Sequence, residues 1–246
     1  CFSLMQSILE KSFQILSEPI LQIHMAHTCM WDFIGKMLVY QKDPNFGGNY
    51  QLNHQIINLL VQFPNNSKIT MIEKSSLSCS SLLKIQFPSN INHFSSEFFC
   101  ESEKLAQISI DSNNQNFSYY EDTFLIGKED LNSENFDVLL FARRDLTEAI
   151  IPSFIKRIAP YAFESCKKLK CVSFSKDTQL KTIDKFAFFK SNLEIISIPS
   201  CVKRIGESAF SQCYKLKKVV FQNDSKLKSI GKDAFSFSSI NRISIP

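Results

Sequence analysis

The stretch SKLKSIGKDAFSFSSINRISIP, residues 225–246, decides the fold because it recurs along the chain. Residues 67–88, SKITMIEKSSLSCSSLLKIQFP, carry nearly the same pattern 158 residues earlier, with nine of 22 positions identical. Exchanges such as Ile69 for Leu227 and Leu77 for Phe235 keep the apolar character of the position. Self-similarity of this kind indicates a chain built from internal repeats.

Residues 151–246 contain four regular copies of the pattern. In each copy an Ile is followed five residues later by a Phe, then by a Leu or Ile, and then by an alternating apolar pair. The Ile-Pro dipeptide recurs at Pro152, Pro199 and Pro246, 47 residues apart each time, so the full period spans two units. The predicted core residues are Ile158, Phe163, Leu169, Ile183, Phe188, Leu193, Ile205, Phe210, Leu216, Ile230 and Phe235.

The alternating pairs, such as Val172 with Phe174, predict short strands with one buried face. The spacing from Ile to Ala-Phe predicts a tight bend or a short helical turn. Two less regular copies within residues 72–110 bring the number of units to six. A period of 22 to 25 residues with one strand per unit predicts a repeat solenoid whose parallel strands stack about 4.8 Å apart.

The best-preserved unit resembles a known family. It fits Ile-Pro-x-x-Val-x-x-Ile-x-x-x-Ala-Phe-x-x-Cys-x-x-Leu-x-x-Val-x-Phe, which is similar to the leucine-rich repeat of BspA-like surface proteins, the trichomonad-type surface antigens among them. The resemblance covers residues 64–246 and implies a leucine-rich-repeat-like solenoid. The matching residues are Ile198, Pro199, Val202, Ile205, Ala209, Phe210, Cys213, Leu216, Val219 and Phe221.

Two regions depart from the repeat. Residues 112–150 interrupt the period, and their two apolar segments on either side of an acidic loop predict a hairpin that leaves the solenoid and returns. Residues 1–62 match the repeat poorly, and we expect them to form an N-terminal cap, helical in part, or a degenerate coil, while residues 63–246 form the solenoid. The chain begins with Cys1 and ends on a repeat proline, so we expect it to be part of a longer protein.

Charge is divided unevenly along the chain. Residues 151–246 carry 18 Lys and Arg against 7 Asp and Glu, a net charge of +11, whereas the preceding residues carry −7. The basic residues recur at equivalent repeat positions, so we expect them to form two stripes that dock an anionic partner, unless they only keep the strand flanks soluble. The predicted stripe residues are Lys156, Arg157, Lys167, Lys168, Lys170, Lys203, Arg204, Lys215, Lys217 and Lys218.

No catalytic or cofactor-binding arrangement is predicted. The eight cysteines include Cys166 and Cys213 at the same repeat position, where we expect buried free thiols and not bridges. The histidine and cysteine segment at His24, His27 and Cys29 has zinc-ligand residue types but lacks a second pair, so we predict no metal site. Six glycines in the whole chain leave no phosphate-binding loop.

The resemblance implies a non-enzymatic cell-surface protein that adheres to host cells or to matrix proteins such as fibronectin, or to anionic glycans. No run of about 18 uncharged apolar residues predicts a membrane span, and no signal peptide is recognisable. The alternatives are an intracellular scaffold that binds other proteins and, for residues 1–60, an enzyme or metal domain. Nucleic acid is not expected as a partner, because the repeat aromatics follow the core positions and do not alternate with surface lysines.

Overall fold

The computed structural model describes residues 59–62, 70–72, 82–95, 97–100 and 102–246. These residues form sixteen strands and contain no helix. Most of the predicted N-terminal cap, including His24, His27 and Cys29, lies outside the described residues. In chain order the strands are β1 (Leu59–Gln62), β2 (Met71–Ile72), β3 (Leu82–Phe87), β4 (His93–Phe94), β5 (Gln107–Ile110), β6 (Phe117–Tyr120), β7 (Phe124–Gly127), β8 (Val138–Ala142), β9 (Glu148–Ile151), β10 (Arg157–Ile158), β11 (Cys171–Phe174), β12 (Thr182–Ile183), β13 (Ile195–Ile198), β14 (Arg204–Ile205), β15 (Lys218–Phe221) and β16 (Ser229–Ile230).

The C-terminal coils each contribute one long strand and one two-residue strand. The long strands β9, β11, β13 and β15 pair in parallel, and the two-residue strands β10, β12, β14 and β16 form a second parallel column, which the five-residue strand β8 joins beside β10. The short column places Ile158 beside Ile183, and Ile183 beside Ile205. Because the register never slips, each inward side chain stacks on its equivalent in the next coil. The predicted solenoid of stacked parallel strands is confirmed.

The Ala-Phe bends are turns, and the short helical turn considered as an alternative does not occur in the described coils. Left-handed backbone recurs once per coil before the Ala-Phe pair, at Tyr161, Phe186 and Ser208, with φ of 62°, 57° and 51°. The Phe163 N–H donates to the Ala187 carbonyl oxygen of the next coil at 2.7 Å, and later bends repeat this bond. These cross-coil bonds hold a conformation that L-residues otherwise avoid.

The core follows the repeat pattern. Phe163, Phe188 and Phe210 are fully buried, and Phe235 and Ile230 are partly buried against them. The remaining predicted core residues, Ile158, Leu169, Ile183, Leu193, Ile205 and Leu216, have no exposed surface. A second apolar cluster fills the coils that contain β3 and β5 and holds several more phenylalanines.

The insert is more elaborate than the predicted pair of strands. Its first apolar segment is itself a hairpin, since β6 and β7 pair antiparallel around Glu121 and Asp122, which both have positive φ. Strand β8 then pairs antiparallel with β7 and parallel with β10, so it belongs to the insert and to the solenoid at once. Phe124 packs in the C-terminal core, whereas the adjacent Leu125 packs in the N-terminal one. The insert therefore joins the two apolar clusters.

The N-terminal coils use the same scheme. Strands β1, β3 and β5 form a parallel sheet, and β2 pairs with β4. In this sheet Ile85 lies beside Ile108, and Phe87 beside Ile110. Within the described ranges, no helix is long and apolar enough to cross a membrane.

Candidate functional site

Successive coils of the solenoid are about 5 Å apart. The ring centroids of Phe163 and Phe188 are separated by 4.7 Å, those of Phe188 and Phe210 by 5.0 Å, and those of Phe210 and Phe235 by 5.3 Å. Equivalent surface residues must follow the same rise, because they share the backbone register of the core. The surface is therefore organised in rows that run along the solenoid axis.

One row consists of lysine in four consecutive coils. The Lys181 N–H donates to the Lys156 carbonyl oxygen, the Lys203 N–H to that of Lys181, and the Lys228 N–H to that of Lys203, each at 2.8 Å. We call Lys156, Lys181, Lys203 and Lys228 the lysine ladder. Lys156 pairs with Asp137 at 3.0 Å. The other three side chains are exposed, and no described carboxylate forms an ion pair with them.

Two ladder members were missed by the sequence analysis. Lys181 and Lys228 lack the following Arg that drew attention to Lys156 and Lys203. The signal was nevertheless present, because a lysine stands two residues before the repeat Ile in all four units. Position within the unit, and not local charge density, identifies the row.

The two predicted arginines are already engaged by carboxylates. Asp184 lies between them, 3.2 Å from Arg157 and 2.7 Å from Arg204, and Arg157 also pairs with Glu129 at 2.6 Å. Burial raises the pKa of Asp184 above its ordinary value, although the two arginines oppose that shift. We call Arg157, Asp184 and Arg204 the arginine bridge. Its charges are largely satisfied within the protein.

The second predicted stripe is divided by the intervening coil. The Glu194 N–H donates to the Lys170 carbonyl oxygen, and the Lys217 N–H donates to that of Glu194, so a carboxylate separates the two lysines. Strand pairing likewise places Ile195 beside Lys218. The exposed lysines of this stripe, Lys167, Lys168, Lys170, Lys215, Lys217 and Lys218, form two groups two coils apart.

The acidic insert turns part of its charge towards the basic solenoid. Asp137 accepts hydrogen bonds from the Glu129 N–H and from Lys156 Nζ, both at 3.0 Å. Burial alone would raise the pKa of Asp137, but these hydrogen bonds hold it below its ordinary value. Together with the pair between Glu129 and Arg157, these contacts neutralise the end of the basic surface nearest the insert.

Arg144 was not predicted to have any role, yet it is 3% exposed and lies where the insert meets both apolar clusters. It donates to the carbonyl oxygens of Ala162 at 2.8 Å, Tyr161 at 3.1 Å and Phe99 at 3.4 Å. Its guanidinium also lies 4.3 Å from the ring centroid of Phe141. Backbone carbonyls therefore take the place of a carboxylate partner, and the residue acts structurally.

A shallow polar groove of about 320 Å³ lies between the insert and the outer face of β3 and β5. Its lining includes Gln107, Tyr119 and Arg143. Burial raises the pKa of Tyr119 to about 12, so its hydroxyl stays protonated near neutral pH. Arg143 is held by Asp145 at 2.9 Å. This lining provides hydrogen-bonding groups without a nucleophile paired to a base.

The cysteines of the described coils are possible nucleophiles or metal ligands, and their state decides whether they can act as such. Cys166, Cys171, Cys201 and Cys213 are free thiols, which confirms the expectation for Cys166 and Cys213, the two repeat-phased ones. Burial raises the pKa of Cys213 to about 11. A thiol held in its protonated form is a poor nucleophile and a poor metal ligand. Among the described residues, no group of three His, Cys, Asp or Glu side chains could hold a metal ion.

The model of the BspA type leucine-rich repeat region matches six copies in this chain, over residues 50–124 and 135–246. The chain belongs to this family. The family match resumes at residue 135, just before β8, the strand that re-enters the solenoid.

Solved structures include other leucine-rich repeat proteins. One from Eubacterium ventriosum is 20% identical, with a TM-score of 0.54, over 76% of this chain and 67% of that chain. The pneumococcal vaccine antigen PcpA is 37% identical with a TM-score of 0.37; the match covers 43% of this chain and 25% of that chain, so this chain spans only part of its length. A leucine rich cell surface protein from Faecalibacterium prausnitzii is 21% identical with a TM-score of 0.42, over 67% of this chain and 60% of that chain. No curated protein matches the chain significantly.

Family membership and geometry agree on the kind of surface this BspA-type repeat chain presents. The regular coils place polar side chains in long exposed rows, and the deepest positions are filled by apolar residues. Such a surface suits many modest contacts with an extended partner.

Proposed function

We propose that this chain is a non-enzymatic cell-surface protein that binds host or matrix proteins, or anionic glycans, along its repeat surface. The observation that carries the proposal is the exposed row structure of the solenoid, in which equivalent side chains recur about every 5 Å. A partner would meet several coils at once. Affinity would then come from many contacts in place of one enclosed pocket.

The family supports the surface location, since BspA-like proteins are cell-surface proteins associated with adhesion to host cells and to matrix such as fibronectin. The charge asymmetry supports an anionic partner, because the C-terminal coils carry a net charge of +11. The absence of activated groups among the described residues supports binding over catalysis.

A second candidate is an intracellular scaffold that binds other proteins. It is favoured by Cys166, Cys171, Cys201 and Cys213, which are free thiols, because disulfides are rare in reducing compartments. Labelling intact cells with an antibody to this chain separates the two candidates. We expect labelling without permeabilisation, and labelling only after permeabilisation would exclude the surface role.

Direct binding is tested with immobilised fibronectin as the probe. Replacing Lys167, Lys168, Lys215, Lys217 and Lys218 by Glu should abolish binding while thermal unfolding stays close to that of the wild type. The matched control replaces five exposed lysines elsewhere, Lys84, Lys104, Lys176, Lys226 and Lys232, by Glu. Equal loss in both variants would contradict a role for the predicted stripe, since net charge alone would then explain binding.

A further inference from the structure

We infer that the lysine ladder is a binding site for a linear anionic polysaccharide, laid along the solenoid axis so that successive acidic groups meet successive coils. The inference rests on the proposed function and deepens it by assigning the site and the ligand class. It also adds Lys181 and Lys228, two residues outside the predicted stripes.

The backbone fixes the order and the spacing of the ladder. Three consecutive hydrogen bonds of 2.8 Å join the four lysine backbones, and the core rings set the rise at 4.7 to 5.3 Å per coil. Four ammonium groups can therefore lie in single file over about 15 Å. A polymer with regularly spaced sulfate or carboxylate groups can follow this row and contact all of them.

The electrostatics of the ladder differ from those of the adjacent arginines. The fold places Asp184 between Arg157 and Arg204, and Glu129 also pairs with Arg157, so two carboxylates compensate the two arginines. Among the described residues, a carboxylate partner is present in the ladder only for Lys156, which pairs with Asp137. Like charges at neighbouring positions of a sheet repel each other. Lys181, Lys203 and Lys228 thus form the uncompensated part, which a bound polyanion would relieve.

The arrangement favours a linear polymer over an anionic lipid surface. A flat anionic membrane is best bound by a broad patch of free cations. The cations on one side of the ladder are instead engaged in the arginine bridge, which leaves a single row. Lysine also suits sulfate groups at variable positions, because its ammonium is a point charge on a flexible stem. The flexible side chains can therefore adjust to the spacing of the polymer.

The test measures heparin, a sulfated polysaccharide, binding to the full chain by calorimetry at several salt concentrations. One triple variant carries Lys181→Gln, Lys203→Gln and Lys228→Gln. The control carries Lys104→Gln, Lys176→Gln and Lys232→Gln, which removes the same charge from exposed positions outside the ladder and outside the predicted stripes. We expect the ladder variant to lose about tenfold or more in affinity and to show a shallower salt dependence, because fewer counterions are released on binding. The control should stay within about threefold of the wild type.

Three results would overturn the inference. Equal losses in both variants would make heparin binding an effect of net charge, and an unchanged ladder variant would place the site elsewhere. Ladder-dependent binding to phosphatidylserine vesicles without heparin binding would assign the site to lipid. The two hypotheses can fail separately. If fibronectin binds but heparin does not, the ladder inference is rejected and the proposed function stands. If intact cells are not labelled, the proposed surface function is rejected, and this result does not bear on the ladder.

Discussion

The rings of Phe188 and Phe210, in consecutive coils, are stacked with their centroids 5.0 Å apart and an angle of 5° between their planes. Each is fully buried, and each sits five residues after the Ile of its own short strand. This pair shows how a 22-residue spacing in sequence becomes a translation along one axis. Every other surface and core row of the C-terminal coils inherits the same translation.

Truncating one ring of this stack should be costly. Phe210→Ala should lower the free energy of unfolding by about 3 to 5 kcal/mol, because it leaves a cavity between two neighbouring rings. Urea unfolding of purified protein measures the change. The control is Phe237→Ala, since Phe237 is 73% exposed and its loss should change stability by less than about 0.5 kcal/mol. Similar losses for both would contradict the stacked core.

Gly206 should not tolerate a side chain. A Cβ there would overlap the backbone N of Lys185 and the backbone C of Asp184 in the preceding coil. Gly206→Ala should therefore destabilise the protein by about 1 to 3 kcal/mol, since neither backbone atom can move without shifting the coil. Thermal unfolding checks this against Glu207→Ala, a neighbouring change at an exposed position. A Gly206→Ala variant as stable as wild type would disprove the close approach.

The adjacent arginines Arg143 and Arg144 should respond differently to the same substitution. Arg144→Met removes a buried guanidinium from three carbonyl oxygens and should cost about 2 to 3 kcal/mol. Arg143→Met breaks a partly exposed ion pair with Asp145 and should cost less than about 1 kcal/mol. Urea unfolding of both variants gives the comparison, and equal costs would refute the structural role of Arg144.

Asp184 should make stability depend on pH in the direction opposite to a typical paired carboxylate. Its pKa in the folded protein is raised above the ordinary 3.8 by burial, so the folded state binds the proton more tightly than the unfolded state. The resulting stabilisation is complete below pH 3.8 and is lost as the pH rises through the folded pKa. Relative to Asp184→Asn, the wild type should therefore become less stable as pH rises through this range. Unfolding of both proteins across the acidic range measures the difference, and a difference that grows in favour of the wild type would reverse the sign assigned here.

The spacing of Ile, Ala-Phe and the alternating pairs was enough to predict coils, strands and core rows, because each depends on residues within one unit. The three-stranded insert could not be predicted in full, since the turn at Glu121 and Asp122 uses positive φ at two non-glycine residues. The arginine bridge was also missed. It joins residues from three different coils, and their meeting depends on a cross-coil register that no single unit encodes.

The column of Ala-Phe bends has an electrical polarity of its own, opposite to that of the lysine ladder, where the N–H groups point to the preceding coil. In the bends the N–H groups point to the following coil and the C=O groups to the preceding one, as in the bonds from Phe163 to Ala187 and from Phe188 to Ala209. Peptide dipoles aligned in this way add, as they do along an α-helix. The guanidinium of Arg144 lies at the carbonyl end of this row, against Tyr161 and Ala162, where a cation is most stabilising. A column of turns thus acts as a macrodipole in a protein whose described residues contain no helix.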